Sequence, residues 1–542
     1  MKKQKTDAQV LKTPNLAIPV DEHSPYSATH RVYIAPDGVV YDASLNQTNI
    51  GANNNKFYRI QLLVGRSGYD HVVWTRWGRV GDRGQSKPLD ADSLEGAMSD
   101  YNSKFKAKTG LAWEARNDPP HKNKYTFIER SYEPDSSELE GDDDDMDGLP
   151  GAGSRRGSKH SATSQAASKL EEPVQKLMQL IFSQHLFNEV MAEMNYDPQK
   201  LPLGKLSKRT ISQGYEHLKQ LAHLIMNPGT GTTADGDTVV DLTNAYLSVV
   251  PHAFGRNKPQ PITTQQALKR EIELLESLSD MKIAEDLMAE AKVVDNTTHP
   301  IDRQYNGLGL KEMTPLNHKS VEYKELEQYL LKTKGETHSV GYKIEDIFRI
   351  ERDGEFERFN SSPYGPLAQD RRLLWHGSRT TNFGGILSQG LRIAPPEAPV
   401  SGYMFDKGVY LADMSSKSAN YCNAHSSDGI GLLLLCEAEL GKPMLELEQS
   451  NYDAAALCKK NGSIATWGKG TNGPLKWKDA KCLHPSLKGT TMPDVSIAPG
   501  NTGVGDKSKV GWGNLYYNEY IAYDVAQIRL RYLFRVQMGS EY

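Results

Sequence analysis

Three short stretches in the C-terminal half of the sequence carry the side chains best suited to chemistry. The first, residues 375–379 (WHGSR), brings His376, Gly377 and Ser378 together at the end of an apolar run. Because glycine has no Cβ, a ligand can approach its backbone N–H and C=O closely. An adjacent donor and acceptor complement a carboxamide, so this stretch predicts a binding site at the end of a strand.

The second stretch, residues 407–422, contains Tyr410, Ser418 and Tyr421, which offer two flat rings and a hydroxyl group within a short span. The third, residues 516–521 (YYNEYI), places the lone carboxylate of Glu519 at the start of an apolar run. Each stretch alone is a weak signal, because a single histidine or glutamate at a strand end is more often structural or simply exposed. Their combination is more specific than any one of them.

The elements that must position these stretches form a β-rich region that begins near residue 300. Helical crossovers between its strands are few, which favours an antiparallel or mixed sheet over a doubly wound one. We therefore expect a sheet domain over residues 300–542. Its predicted strands are short apolar runs that alternate with turns, at residues 372–376, 408–412, 431–437, 519–523 and 529–536.

The region before this domain has a helical pattern. Apolar residues such as Leu268, Ile272 and Leu275 recur at the spacing of one helix face, which predicts an all-α bundle over residues 170–296. Residues 133–169 are predicted to be a linker, acidic at first and then rich in glycine and serine. Such a composition cannot bury enough apolar surface to offset the entropy of an ordered chain.

Residues 29–132 are predicted to form a third, small, β-rich domain. Strands at residues 57–64 and 72–77 flank a glycine-containing turn and predict a hairpin, and a helix follows over residues 92–108. The domain is locally basic, because residues 31–130 contain 15 Lys and Arg against 11 Asp and Glu. Residues 1–28 are polar and are predicted to be a disordered tail. The fold class is therefore multidomain α+β.

The composition of the whole chain limits its class. Its 542 residues have a net charge of −4, which excludes a wholly basic, histone-like protein. The mean hydropathy is −0.60, and no apolar run is long enough to span a membrane. The first residues lack the apolar core of a secretory signal, so we expect none. The four cysteines favour a reducing compartment, and because none forms a C-x-x-C pair we expect no metal site.

With these motifs identified, the sequence closely resembles the DNA-dependent poly(ADP-ribose) polymerases over about four-fifths of its length. Four motifs resemble the catalytic domain of that family. They lie at residues 376–383 (HGSRTTNF), 390–399 (GLRIAPPEAP), 402–405 (GYMF) and 518–520 (NEY). Residues 203–209 (LGKLSKR) and 251–255 (PHAFG) resemble the family's helical regulatory domain. Residues 76–81 (RWGRVG) resemble its WGR domain. The three regions follow one another in the family's order.

The resemblance implies a catalytic triad of His376, Tyr410 and Glu519. It implies NAD⁺ as a substrate and no redox cofactor. Glu519 would stabilise the positive charge that develops when the bond between nicotinamide and ribose breaks, as a carboxylate does in glycoside hydrolysis. The remaining residues of the NAD⁺ site implied by the resemblance are Gly377, Ser378, Gly385, Arg392, Lys417, Ser418 and Tyr421.

For the WGR-like domain, the resemblance implies contact with the 5′ phosphate end of a DNA strand break. The implied DNA-binding residues are Asn55, Lys56, Trp77, Arg79 and Tyr125. From the residues alone, Trp77 could also be a core tryptophan, so Arg79 is the stronger of these predictions. The family also implies protein acceptors, including the chain itself, a role in DNA repair, and a nuclear location.

Two alternatives stay open at this point. One is a transferase of the same fold that adds a single ADP-ribose unit, and the other is a DNA-end-binding scaffold with an inactive catalytic domain. The sequence also departs from the family pattern, with Leu411 at a position that is often aromatic and Asp406 at one that is commonly glycine. Residues 449–494 match the family poorly, and we expect them to be an inserted surface loop.

Overall fold

The structure is a computed structural model that describes residues 8–11, 18–130, 132, 167–196, 206–291, 298–504 and 515–539. Most of the predicted linker, residues 133–166, and the first residues of the predicted tail lie outside the described residues.

The N-terminal domain is built on one antiparallel sheet. Its elements are β1 (His30–Val32), β2 (Asp42–Asn49), β3 (Asn54–Gly65), β4 (His71–Arg79), β5 (Gln85–Ala91), α1 (Leu94–Thr109) and β6 (Thr126–Ile128). The strand order is β5–β4–β3–β2–β6, with β1 beside β3, so the predicted β3–β4 hairpin is confirmed. The predicted helix is α1, which begins after the N-cap Ser93 and ends at Gly110, where φ is 82°.

The ordered part of this domain begins earlier than the sequence indicated. Residues 18–28, which we predicted as part of a disordered tail, pack against the sheet. Asp21 is fully buried, and its carboxylate pairs with Arg59 at 3.3 Å and with Arg76 at 3.0 Å. A buried carboxylate needs such partners. The two arginines lie on the neighbouring strands β3 and β4, and their pairing with Asp21 could not be predicted from the sequence alone.

The middle domain is a helical bundle, as predicted. Its helices are α2 (Glu172–Ile181), α3 (Gln184–Glu193), α4 (Lys208–Met226), α5 (Val239–Val249) and α6 (Gln265–Ala291), and α7 (Pro300–Gly307) leads out of it. The apolar face of α6 buries Leu268, Ile272 and Leu275. The bundle also contacts the N-terminal sheet, where the side-chain amide of Asn46 in β2 donates to the carbonyl oxygen of Leu247 in α5 at 2.9 Å.

The C-terminal domain contains mixed and antiparallel sheets, which confirms the predicted fold class. Its helices are α8 (Val321–Lys332), α9 (Glu355–Ser361), α10 (Phe383–Gln389), α11 (Ser415–Ala419) and α12 (Ala454–Lys460). Its strands are β7 (Leu310–Pro315), β8 (Gly341–Arg352), β9 (Arg371–Ser378), β10 (Val409–Leu411), β11 (Ile430–Glu439), β12 (Leu445–Leu447), β13 (Ala465–Gly468), β14 (Gly470–Gly473), β15 (Trp477–Asp479), β16 (Thr491–Pro493), β17 (Gly500–Asn501), β18 (Leu515–Tyr517), β19 (Glu519–Ala522) and β20 (Ile528–Gly539).

Two of these sheets carry the three sequence stretches that contain His376, Tyr410 and Glu519. The larger has the order β15–β16–β9–β11–β20–β8–β7, and a smaller one has the order β10–β19–β13–β12. A β-bridge between Trp375 of β9 and Ala412 just after β10 joins them. Trp375 is fully buried, so the junction is part of the core. A third, small sheet has the order β17–β14–β18.

The expectation of an inserted surface loop at residues 449–494 is wrong. β13 lies inside the smaller sheet between β12 and β19, and β16 pairs with β9 of the larger sheet. Ala465 and Thr466 of β13 are fully buried. The segment is therefore a structural part of the domain, because its strands are paired and covered like those around them.

Helix α6 lies directly on the C-terminal domain. A Cβ atom added at Gly384 of α10 would lie 2.7 Å from the Cβ of Ala284, and one added at Gly385 would lie 2.9 Å from a carboxylate oxygen of Asp280. Ala284 and Asp280 are one helical turn apart, so the two glycines form a flat seat for one face of α6. Among the helices of the described residues, none is both long enough and apolar enough to cross a bilayer.

Candidate active site

A cavity of about 600 Å³ lies between the C-terminal domain and α6. β9, β10, α11 and β19 supply one wall, which we call the sheet wall, and α6 supplies the opposite one, which we call the helix wall. The sequence-predicted residues that line this cavity are His376, Gly377, Ser378, Arg392, Tyr410, Lys417, Ser418, Tyr421 and Glu519. The structure thus brings together three stretches that are far apart in the sequence.

The histidine and the tyrosine are held by adjoining strands. The Nδ1 atom of His376 lies 3.0 Å from the carbonyl oxygen of Tyr410. Since a carbonyl oxygen can only accept, Nδ1 donates and therefore carries the proton of the neutral ring. Burial lowers the pKa of His376, which keeps the ring neutral at pH 7 and its Nε2 atom available as an acceptor.

The hydroxyl group of Tyr410 is fully engaged with the backbone. It donates to the carbonyl oxygen of Asp406 and accepts from the N–H of Phe405, both at 2.8 Å. Burial raises the pKa of Tyr410, so the phenol stays neutral. Asp406 has a φ of 62°, a left-handed conformation that glycine adopts most easily. The departure from the family pattern at this position therefore places an aspartate where the backbone favours glycine.

The carboxylate of Glu519 has one engaged and one unengaged oxygen. Its Oε1 atom lies 2.9 Å from the ammonium nitrogen of Lys417, which also donates to the carbonyl oxygen of Tyr517 at 2.9 Å. Its Oε2 atom is buried and accepts no hydrogen bond from the described residues. A buried carboxylate oxygen without a donor is costly, and this one belongs to a residue that lines the cavity, where a ligand hydroxyl can supply the missing hydrogen bond.

At one end of the cavity, the backbone of Gly377 packs closely against Ser418. A Cβ atom at Gly377 would lie 2.0 Å from the carbonyl oxygen of Ser418, so only glycine fits there. Tyr421 lies at the mouth of the cavity with 46% of its surface exposed, and the ammonium group of Lys269 lies 5.4 Å from its ring centroid. A backbone amide pair beside an accessible aromatic ring can hold a flat carboxamide ring.

The helix wall is acidic, which the sequence analysis did not anticipate. Asp280 pairs with Arg392, and Glu276 accepts a hydrogen bond from the hydroxyl of Tyr403. Burial raises the pKa of Glu276 to about 7 and that of Asp280 to about 6. Their spacing of four residues on the predicted helix was the available signal, since it places both on one face.

Gly385 is covered by α6 in this structure. It is buried in α10 against Asp280 and does not line the cavity. Because a side chain at residue 385 would collide with α6, this glycine serves the contact between two helices in the structure. The contact with NAD⁺ expected at this position stays a prediction, because α6 covers Gly385 in this structure.

One end of the N-terminal sheet gathers aromatic and basic side chains. Trp77 is half-buried and stacks on Tyr58, with ring centroids 5.8 Å apart, and Tyr125 lies edge-on to the same ring. Lys56 lies on this end of β3, and Lys108 of α1, which the sequence analysis missed, is 4.4 Å from the Tyr58 ring centroid. Burial and the neighbouring lysines lower the pKa of Lys108, as expected where positive charge is concentrated.

The other two predicted DNA contacts face the helical bundle. Asn55 is fully buried, and its amide donates to the carbonyl oxygen of His252 at 2.7 Å while its own oxygen accepts from Thr48 at 3.1 Å. It is therefore not accessible to DNA in this structure. Arg79 donates to the carbonyl oxygens of Gly255 and Asn257. These two residues join the end of the N-terminal sheet to the loop that precedes α6.

Fold and site together define a class of enzyme. Histidine, tyrosine and glutamate on three adjoining strands, around a cavity with a backbone amide pocket, form the arrangement of an ADP-ribosyltransferase. Family comparisons agree over most of the chain. The poly(ADP-ribose) polymerase catalytic domain matches residues 320–538, the poly(ADP-ribose) polymerase regulatory domain matches residues 168–305, and the WGR domain matches residues 41–120.

Several curated proteins are similar over nearly the whole chain. Poly [ADP-ribose] polymerase 2 of Zea mays is 39% identical over 543 residues, which cover 99% of this chain and 76% of the maize protein. The proteins of the same name from Arabidopsis thaliana and Homo sapiens are 40% and 38% identical, over 93% and 92% of this chain and 74% and 80% of their own lengths.

The chain belongs to the poly(ADP-ribose) polymerase family. It is an NAD⁺ ADP-ribosyltransferase, and NAD⁺ is its substrate rather than a redox cofactor. Its WGR domain makes it a DNA-binding protein. Within the described residues, no three His, Cys, Asp or Glu side chains are grouped so that they could hold a metal ion.

Proposed function

We propose that this polymerase is switched on by DNA strand breaks and builds poly(ADP-ribose) on proteins, including itself, through the triad His376, Tyr410 and Glu519. The observation that carries the assignment is the carboxylate of Glu519, which belongs to the lining of a cavity of about 600 Å³ and whose Oε2 atom accepts no hydrogen bond from the described residues. A single-addition enzyme of this family would be expected to have replaced that glutamate, and a scaffold would not need it.

Glu519 has two roles in this mechanism. Cleavage of the bond between nicotinamide and ribose gives the sugar oxocarbenium character, and a negative charge held nearby stabilises the developing positive charge. The same carboxylate accepts a hydrogen bond from the attacking hydroxyl group and so increases its nucleophilicity. Lys417, 2.9 Å from Oε1, holds the carboxylate in place and leaves Oε2 for the substrate.

The other residues orient NAD⁺. The backbone N–H and C=O of Gly377 and the hydroxyl of Ser418 bind the carboxamide, and Tyr410 and Tyr421 stack on the nicotinamide ring. The neutral imidazole of His376 accepts from a hydroxyl of the adenosine ribose through Nε2, because Nδ1 is engaged by Tyr410. Ser378 and Arg392 complete the site, and Arg392 must leave Asp280 to reach a phosphate. These roles are supported by the cavity lining and the hydrogen bonds described above.

The helix wall keeps the enzyme inactive without DNA. The carboxyl groups of Glu276 and Asp280 line the cavity that an anionic dinucleotide must enter. A DNA end that binds beside Arg79 competes for the guanidinium that now donates to Gly255 and Asn257, and this loosens the bundle around α6. Such coupling requires only that DNA bind the loosened form more tightly than the closed form.

DNA engages the sheet end that carries Lys56, Trp77, Arg79, Tyr125 and Lys108. Phosphate contacts from lysine and arginine position a protein without reading sequence, and the rings can stack on the exposed terminal base. We propose the 5′ phosphate end as the bound group and the nucleus as the site of action. The interpretation of Trp77 as a core tryptophan is disfavoured by its half-buried, stacked position near the end of β4.

The test incubates the full-length chain with labelled NAD⁺ and sizes the products on a gel. Duplexes with a nick that bears a 5′ phosphate, with the same nick bearing a 5′ hydroxyl, and without a nick are compared. We expect long polymer with the phosphorylated nick and little product without a break. Single-unit products would favour the mono-transferase, absence of any product would favour the scaffold, and equal stimulation by both nicks would rule out recognition of the 5′ phosphate.

A further inference from the structure

A second buried carboxylate lies behind the sheet wall and has no part in the mechanism above. Asp413 follows β10 and precedes α11, and its side chain is fully buried. Its Oδ2 atom accepts from the side-chain amide of Asn518 at 2.8 Å and from the hydroxyl of Tyr520 at 3.0 Å. Asn518 and Tyr520 are the two chain neighbours of Glu519, so one carboxylate binds both sides of the catalytic residue.

Two residues of the 449–494 segment donate hydrogen bonds to Asn518. The side-chain oxygen of Asn518 accepts from the indole N–H of Trp467 at 3.0 Å and from the backbone N–H of Gly470 at 2.9 Å. The Trp467 ring also stacks on Tyr520, at 6.1 Å between centroids and 11° between planes. Asn518 is thus fixed at both ends of its amide, by Asp413 and by Trp467.

The direction of the Tyr520 hydroxyl is fixed as well. Arg372 of β9 donates to it at 3.1 Å, so the hydroxyl proton is left to point at Asp413. Arg372 is itself held by Asp370 and lies 4.5 Å from the ring centroid of Trp477. This chain of contacts begins on the strand that carries His376 and ends on the strand that carries Glu519.

Strand geometry converts these contacts into an orientation of the carboxylate. Successive side chains of an extended chain point to opposite faces. Asn518 and Tyr520 both donate to Asp413 behind the sheet wall, whereas Glu519 between them lines the cavity. Fixing both neighbours from behind fixes the direction of Glu519 in front. A misplacement of about 1 Å at a reacting group can slow a reaction roughly a hundredfold.

We propose that Asp413 is a positioning residue for Glu519, and that Trp467 of the 449–494 segment is its partner across Asn518. The inference rests on the role proposed for Glu519. It gives the segment a function in the reaction, although none of its residues needs to touch NAD⁺.

The test measures nicotinamide release by the full-length chain, with saturating nicked DNA, at a temperature well below the melting point of every variant. We expect Asp413→Ala to lower kcat about 30- to 100-fold and to change the KM for NAD⁺ less than threefold. Asp413→Asn should stay within about threefold of wild type, because its amide oxygen can accept both hydrogen bonds while its NH₂ replaces Oδ1, which accepts none from the described residues.

Two milder variants keep the proposal testable if Asp413→Ala does not fold. Tyr520→Phe removes only the hydroxyl donor, and Trp467→Phe removes only the indole N–H. Each should lower kcat about three- to tenfold. The double variant Asp413→Ala with Trp467→Phe should be no more than twofold slower than Asp413→Ala, because both changes act through Asn518.

The matched control is Asp346→Ala, which removes a buried carboxylate that pairs with Arg535 on strands β8 and β20, away from the cavity. It should lower the melting temperature and leave kcat unchanged. The proposal is overturned if Asp413→Ala keeps kcat within threefold, or if it and Asp346→Ala lose activity only in proportion to lost stability. Glu519→Gln distinguishes failure of the positioning role of Asp413 from failure of the catalytic role of Glu519. If Glu519→Gln keeps full activity, the proposed role of Glu519 itself fails.

Discussion

The two walls of the cavity are built in opposite ways. On the sheet wall, the polar groups of His376, Tyr410 and one oxygen of Glu519 are satisfied by partners within the same domain. On the helix wall, Glu276 and Asp280 are buried carboxyls whose raised pKa values show that their charged forms are disfavoured. This contrast fits the proposed function, in which the sheet wall carries out the reaction and the helix wall moves away when DNA binds.

The largest expected effect comes from the sheet wall. Glu519→Gln keeps the shape of the side chain and removes its charge, so transition-state stabilisation of about 3–4 kcal/mol is lost and kcat falls about 10²–10³-fold. The KM for NAD⁺ should change little. Steady-state nicotinamide release with saturating nicked DNA measures both constants, and a kcat within tenfold of wild type would contradict the assignment.

The next effect is on the helix wall. Leu275 of α6 is fully buried, and Leu275→Ala should remove about 2–5 kcal/mol from the stability of the bundle. We expect activity without DNA to rise about tenfold or more, while activity with saturating DNA stays within twofold. Leu62→Ala in the core of the N-terminal sheet is the matched control. An equal rise in that variant would mean that general destabilisation, and not removal of the helix wall, causes activation.

A smaller effect is expected at the mouth of the cavity. Stacking on an aromatic ring is worth about 0.5–1.5 kcal/mol beyond burial, so Tyr421→Ala should raise the KM for NAD⁺ about two- to tenfold with kcat nearly unchanged. Tyr421→Phe keeps the ring and should keep the KM. If Tyr421→Ala lowered kcat instead, the ring would belong to the chemical step and the division of roles on the sheet wall would need revision.

The smallest effect is a dependence on pH. An unperturbed carboxyl group titrates near pH 4, whereas Glu276 titrates near 7 and Asp280 near 6 in the closed bundle. Between these values the closed form binds more protons than the loosened form, so its stability falls as pH rises. The ratio of DNA-independent to DNA-stimulated activity should therefore rise a few-fold from pH 5.5 to 7.5.

Glu276→Gln is the control for this titration, because it cannot ionise and should flatten most of the rise. Taking the ratio of the two activities cancels the pH dependence of the chemical step itself. A ratio that falls with pH in the wild-type chain would show that the helix wall is not held in place by protonated carboxyl groups.

Local elements were predictable and distant pairings were not. The β3–β4 hairpin and α1 follow from alternation, a glycine turn and a capping serine, which act over a few residues. The position of β13 depends on pairing with β19, about fifty residues further along the chain, and its four residues carry no strong strand pattern. Short strands of this kind are specified by their neighbours, so the segment was misjudged as a loop.

The site shows the same division. The residue types of the sheet wall and their gathering into one cavity followed from the motifs and the resemblance. The positions of Asn55 and Gly385 did not, because both depend on which domain lies next to them: one donates to His252 and the other lies against α6. A motif indicates what a side chain can bind, but the packing of the domains decides whether it is accessible.

The glycine pair of α10 has a consequence for how tightly the enzyme is controlled. Since a single methyl group at residue 384 would overlap Ala284 of the facing helix, the closed state depends on the absence of one carbon atom at a residue that does not line the cavity. Larger side chains there would wedge the two domains apart and leave the reaction machinery untouched. The stability of the closed state can thus be graded by the side-chain volume at residue 384, which does not itself line the cavity.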